Sequence, residues 1–234
     1  MMERVWAKTF ILWSETSEYR EKVREAKGII SKALRQYTNP YVSYSGGKDS
    51  LCLLHLVLQE QNDVDIWHWD YGDTLMPRSI EKEILKNARK VGAKNIIIKK
   101  RGDNKHARED YKFGYRHFFI SLIQLKKEKG WDLGFIGIRK EESLRRERQY
   151  SHFFDKQSCY PILNFTWKDV WAYIVSNGIS YPSIYDKYSK IYGWDKVRLV
   201  TFFDPEFDKF GSSNVDGVLM PEFRFEPLTR YQTD

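Results

Sequence analysis

Cysteine is nearly absent from this chain: Cys52 and Cys159 are its only two. One lies in an apolar, helix-like run and the other in a short polar run, which excludes a disulfide framework and a cysteine-based metal site. They read as one buried thiol, Cys52, and one incidental one, Cys159. Any run of eighteen apolar residues is also missing, so no transmembrane helix is expected. The start, MMERVWAKTFILW, carries Glu3 and Lys8 where a secretory signal needs unbroken apolar sequence, which points to the cytoplasm. Repeats and low-complexity segments are lacking, and the histidines at 55, 68, 106, 117 and 152 have no metal-ligand spacing. His55 and His68 read as core or supporting residues.

What is present suits a globular chain. A length of 234 residues supports one sizeable core, with no independent second domain expected. The hydrophobic share of 41% and charged share of 30% are ordinary, while 16% aromatics, with 8 Trp and 15 Tyr, is high. A net charge of +7 and a pI near 9.2 favour an anionic partner. Nucleotide phosphates, nucleic acid and mere solubility all satisfy that balance.

Periodicity alternates along the chain. From Thr16 to Tyr37, apolar residues at Tyr19, Val23, Ala26, Ile30, Ala33 and Tyr37 predict an amphipathic helix. YVSY (41–44) follows Asn39-Pro40 and reads as a strand. Asp49 to Gln59 is apolar almost all round, which predicts a helix buried on most sides. VDIWHW (64–69) reads as the next strand, completing a βαβ unit with parallel strands. A helix opened by Pro77, the strand NIII (95–98), a helix over 113–129 and the strand LGFIGI (133–138) continue the alternation. Thr166 and Asp169 predict a capping box for a helix over 167–177, where Trp167 and Trp171 share a face and read as core. The chain thus divides into an α/β unit over 1–178 and, over 179–234, an irregular, aromatic-rich extension packed on it.

The chemistry concentrates where the first strand turns into its helix. In a doubly wound sheet, ligands bind at the carboxyl ends of the strands, and Ser45 to Asp49 occupy that edge. Gly46 and Gly47 let backbone amides approach a ligand closely, Ser45 adds a hydroxyl, Lys48 a cation, and the helix N-terminus a positive dipole end. The turn is therefore built for phosphate. It is not a Walker A loop, because Val42 stands where that motif needs its first glycine and Asp49 where it needs a hydroxyl. Asp49 reads as a helix N-cap, an indirect ligand of Mg²⁺, or both.

SGGKDS (45–50), after a short strand and before an apolar helix, resembles the PP-loop signature of the ATP pyrophosphatase and adenine nucleotide α-hydrolase superfamily. WDYGDTLMP (69–77), GIRKEESLRR (137–146) and YPILNFTWKDVWAYI (160–174), with Tyr185 downstream, are similar in order to segments of the phosphoadenosine phosphosulfate (PAPS) reductase and ATP sulfurylase small subunit family. The resemblance implies an α/β, doubly wound, mostly parallel five-stranded sheet with helices on both faces and an adenine nucleotide, ATP or PAPS-like, at the strand ends. On that view Ser43, Ser45, Gly46, Gly47, Lys48, Asp49, Ser50, Asp70 and Gly137 bind the nucleotide. Lys48, Arg139 and Arg146 carry the reaction, and Asp49 and Asp73 approach Mg²⁺. Asp70 and Asp73 follow the second strand, where carboxylates meet a ribose hydroxyl or a metal ion. Arg139, Arg145, Arg146 and Arg148 follow the fourth assigned strand and suit an anion clamp, yet Glu141, Glu142 and Glu147 lie among them as on a solvated helix face.

PAPS reductases use a nucleophilic cysteine in a C-terminal segment, and this chain has none after Cys159. Trp194 follows Gly193 where relatives with an iron–sulfur cluster carry cysteine, so no such cluster is expected. The chemistry left is attack of an oxyanion on the α-phosphate of ATP, forming an adenylate and releasing pyrophosphate, with an anionic small-molecule acceptor. Two alternatives stay open: a PAPS-type reductase relying on Cys159, and a non-enzymatic module binding nucleotide or nucleic acid. A protein partner subunit and homo-oligomerisation are both compatible with the resemblance.

Overall fold

The computed structural model describes residues 2–72, 76–100, 115–142, 144–197 and 199. The chain opens with α1 (Arg4–Ser14) and α2 (Ser17–Gln36). Then β1 (Pro40–Tyr44), α3 (Lys48–Glu60), β2 (Asp65–Asp70), α4 (Arg78–Lys90), β3 (Ile96–Lys100), α5 (Tyr115–Lys129) and β4 (Leu133–Ile136) alternate. A 3-10 turn at Lys140–Glu142, α6 (Leu144–Gln149), β5 (Ser158–Cys159), α7 (Trp167–Ser176) and α8 (Ile184–Tyr192) follow. The five strands form one sheet in the order β3-β2-β1-β4-β5, every pair parallel.

Successive side chains of a strand face opposite sides. Trp67 and Trp69 on one side of β2 meet Phe118 of α5, with ring centroids 4.4 and 5.8 Å away. On the other side, His68 reaches Glu81 of α4 at 2.7 Å, and the Tyr44 hydroxyl donates to the Ile84 carbonyl at 3.0 Å. Helices therefore cover both faces. The chain runs outward through β2 and β3, then returns by α5 to place β4 on the far side of β1. The connections after β1 and β4 diverge, which is the topological switch point where such sheets hold ligands.

α3 is as enclosed as its composition predicts: Leu51 to Leu54 and Leu56 to Leu58 are all buried. α7 carries the expected capping box, with Thr166 accepting from Asp169 N–H and Asp169 accepting from Thr166 N–H. Asp169 also accepts from Trp13 Nε1 at 2.8 Å and Lys22 Nζ at 3.0 Å, so one carboxylate pins α1 and α2 to α7. Trp171 is fully buried and Trp167 packs on Phe10, as core residues should.

Three expectations change. Cys159 is not incidental: pairing of β5 with β4 sets it beside Phe135, fully buried. Within the extension read as irregular, Ile184–Tyr192 form α8, whose apolar face is made mostly of tyrosines. The N-terminal stretch, read only against a signal peptide, is α1, lying across α7 through Trp6, Phe10 and Trp13. No described helix is long and apolar enough to cross a membrane.

Candidate nucleotide site

β1 stops at Tyr44 and α3 begins at Lys48, so three residues must redirect the chain. Gly46 does this with φ +82°, a left-handed conformation that L side chains rarely adopt. A Cβ there would also lie 2.4 to 2.7 Å from the side-chain carbons of Ile84, so α4 excludes any larger residue. Ser50 Oγ donates to Gly47 O at 2.9 Å, accepts from Ser45 N–H at 3.3 Å and lies 3.1 Å from Ser45 Oγ. Ser45 Oγ in turn accepts from Gly47 N–H at 3.4 Å. The two serines bind the turn to its own helix. From the other side Gly137, just past β4, comes so close that a Cβ would sit 3.1 Å from the Asp49 and Ser50 backbone.

The helix starts one residue earlier than expected. Gly47, in an extended conformation and with no side-chain cap, is the N-cap, which puts Asp49 in the first turn and corrects its reading as the cap. Lys48 N–H donates instead to the hydroxyl of Tyr185 on α8, at 2.9 Å.

Asp49 lies between two cations. Its Oδ2 is 3.0 Å from Lys48 Nζ and its Oδ1 accepts from Arg139 Nε at 2.5 Å. Both basic side chains are buried, Lys48 with 2% and Arg139 with 4% of its surface exposed. Burial works to raise the Asp49 pKa, but Arg139 and Lys48 outweigh it and hold the carboxyl down at about 2. Arg139 Nη1 also donates to Glu141 at 2.8 Å, and Arg139 N–H to Glu142 at 3.2 Å. The alternative of a solvated helix face thus does not describe Arg139. It suits Arg148, which is exposed. Arg146 is a part-buried i,i+4 partner of Glu142. A groove of about 680 Å³ runs alongside, lined by Lys140, Glu141, Glu142, Leu144 and Glu147 against Leu163 to Thr166.

The structure therefore brings Ser45, Gly46, Gly47, Lys48, Asp49, Ser50, Gly137 and Arg139 together. Ser43 lies two residues upstream on β1, half-buried, paired in register with Trp67 and Ile136. Asp70, at the end of β2, accepts from Arg78 Nη1 and Nη2 at 2.8 and 2.9 Å and from Gly72 N–H at 2.8 Å. Burial opposes its ionisation, but Arg78 and that amide keep its pKa low. Asp73 and the side chain of Arg145 lie outside the described residues. Among the described residues, no group of three His, Cys, Asp or Glu could hold a metal ion. Ile84 and Tyr185 escaped the sequence-based selection of site residues. Nothing near Ile84 in sequence marks it, and only its packing against Gly46 reveals it.

The phosphoadenosine phosphosulfate reductase domain matches residues 39–211, well over half of the chain. The chain belongs to that family. Among curated relatives, sulfate adenylyltransferase subunit 2 of Mycobacterium sp. (strain KMS) is 23% identical, aligning over 73% of this chain and 65% of its own length. The chain thus spans under two thirds of such relatives. An adenosine 5'-phosphosulfate reductase of Bacillus cytotoxicus is 25% identical over 88% of this chain and 92% of its own. A crystal structure of PAPS reductase from Candida auris, in a phosphate complex, superposes with a TM-score of 0.52 at 18% identity, covering 80% of this chain and 93% of that one. It has the same fold, the five-stranded parallel sheet with its helices.

Proposed function

We propose that this family member binds ATP, or a related adenylyl nucleotide, at the 45–50 turn and acts at the α-phosphate. An oxyanion attacks phosphorus, the P–O bond to the β-phosphate breaks, and pyrophosphate leaves with that electron pair. The observation that carries this is the buried juxtaposition of Lys48 and Arg139 at a helix N-terminus that a glycine opens without a side-chain cap. Loop amides and Lys48 would hold the departing phosphates, and Arg139, with Arg146 beside it, would position the acceptor. An acceptor that is already an anion needs no general base. A sulfate-like ion fits that role, in keeping with relatives named as sulfate adenylyltransferase subunits. That name also favours a protein partner subunit for this chain. Magnesium, implied by the nucleotide, does not fit the described carboxylates: each Asp49 oxygen already faces a cation. Charge neutralisation is therefore assigned to Lys48 and the loop amides.

The reductase reading, favoured by the name of the second relative, meets a chemical obstacle. Cys52 and Cys159 are both buried, and burial pushes the Cys159 thiol up to about 12, far from the thiolate that attack on sulfur requires. The test is pyrophosphate release from ATP with sulfate and related oxyanions, run beside thioredoxin-dependent sulfite production. Lys48→Ala and Arg139→Ala should each abolish the first. Wild-type turnover in both variants overturns the proposal, and sulfite production lost in Cys159→Ala would install the reductase instead.

A further inference from the structure

We propose that Tyr185 is a positioning residue for the bound nucleotide, holding the glycine loop to the chain at Leu199 through one shared hydroxyl. This rests on the reading of the loop as a nucleotide site. The hydroxyl accepts Lys48 N–H at 2.9 Å and Leu199 N–H at 3.2 Å. A phenol oxygen has two acceptor sites, and both are filled.

The first N–H groups of a helix have no partner within it, and a Ser, Thr, Asp or Asn at the N-cap usually supplies one. α7 follows that rule through Thr166, whereas α3 has Gly47 at that position. Its cap comes instead from a side chain 137 residues away. The substitution has a geometric consequence. The N-cap position of the first turn carries no side chain, and the Tyr185 hydroxyl that stabilises the turn lies 3.5 Å from where a Gly47 Cβ would be.

The ring itself has little freedom. It is buried, stands edge-on to Trp171 at 5.3 Å and 84°, and Trp171 is tied through Nε1 to Trp194 O at 3.2 Å. Burial holds the phenol well above its usual range, so the acceptor is a neutral hydroxyl. A fixed acceptor pre-organises the loop, and nucleotide binding then avoids part of the ordering cost. By linkage, a ligand that tightens the loop also tightens Leu199.

The experiment compares the full wild-type chain with Tyr185→Phe and Tyr181→Phe. Tyr181 is the control, because it sits in the same aromatic group but its hydroxyl bonds Asp186 at 2.9 Å instead of the loop. ATP and adenosine 5'-phosphosulfate are titrated by calorimetry, and amide hydrogen exchange is followed at Lys48 and Leu199 without nucleotide. Tyr185→Phe should weaken nucleotide affinity by about tenfold and expose both amides together. Tyr181→Phe should shift thermal stability alone. Unchanged affinity in Tyr185→Phe, or an equal loss in Tyr181→Phe, overturns the proposal. Should the wild-type chain bind neither nucleotide, the nucleotide reading fails and positioning of a nucleotide fails with it, while loss of exchange protection at both amides would still mark Tyr185 as the loop's cap. Where Tyr185→Phe does not fold, Leu199→Pro removes one donor without touching the ring, and wild-type affinity there is equally decisive against the proposal.

Discussion

Helices α3 and α7 each carry an aspartate in the first turn, part-buried at α3 and fully buried at α7, and the two serve opposite ends. At α7, Thr166 and Asp169 satisfy each other's amides, and Asp169 also takes Trp13 and Lys22. Every acceptor is committed to the protein, so the site is closed and structural. At α3, a glycine replaces the capping side chain and Asp49 faces two buried cations, one of which comes from beyond β4. An anion arriving there competes with Asp49 for both positive charges, and with Glu141 for that of Arg139. The contrast shows that a helix N-terminus becomes a site through what is left off it.

The contrast can be broken by exchange of function between the two ends. The largest effect is expected for Asp169→Ala, which leaves Trp13 Nε1 and the Thr166 amide without their acceptor and Lys22 with Glu18, and should cost about 3–5 kcal/mol in urea unfolding, with nucleotide affinity unchanged in the folded fraction. Gly46→Ala should cost about 2–3 kcal/mol, because it forces a left-handed alanine against Ile84, and should lower nucleotide affinity as well. Asp49→Asn removes the negative charge that the buried Lys48 and Arg139 share. A loss of about 1–2 kcal/mol is expected, and pyrophosphate should raise the melting temperature of this variant more than that of wild type. An equal shift in both proteins would show that Asp49 does not compete with anions. Thr166→Ala, which removes only a cap hydroxyl, should cost about 1 kcal/mol.

Acid sharpens the same comparison. Both aspartates have folded-state pKa values below their ordinary 3.8, Asp49 at about 2. Burial opposes each shift, but Arg139 with Lys48 outweighs it at Asp49, and hydrogen bonds from Thr166, Trp13 and Lys22 outweigh it at Asp169. A depressed folded pKa contributes stability that is complete above the unfolded value and is lost as pH falls through the folded one. Stability should therefore decline from about pH 4 toward pH 2. The Asp49→Asn and Asp169→Asn variants should each show a shallower decline, measured by denaturant unfolding across that range.

Much of this was legible in local pattern. The apolar stripes and the Gly46-Gly47 pair announced the alternation of strand and helix and the loop between them, because periodicity and positive φ are properties of neighbouring residues. The Thr166–Asp169 box was legible for the same reason. Arg139 was not decided by its neighbours: three nearby glutamates fit a solvated helix equally well, and only the approach of β4 to α3 buried it against Asp49. Cys159 was misread because its polar flanks hide a two-residue strand that parallel pairing carries into the core. α8 was missed because its buried face is tyrosine, whose polar tip weakens the apolar signal.

By itself, the sequence determined the βαβ alternation, the glycine turn and the shortage of cysteine, since each depends on residue type and short spacing. Tertiary structure alone decided that Tyr185 caps α3, that Ile84 forbids a side chain at Gly46, and that Arg139 answers Asp49. Those contacts join residues 38 to 137 positions apart. Local propensity carries no record of a partner so distant; only the order in which the strands assemble brings such groups within bonding range.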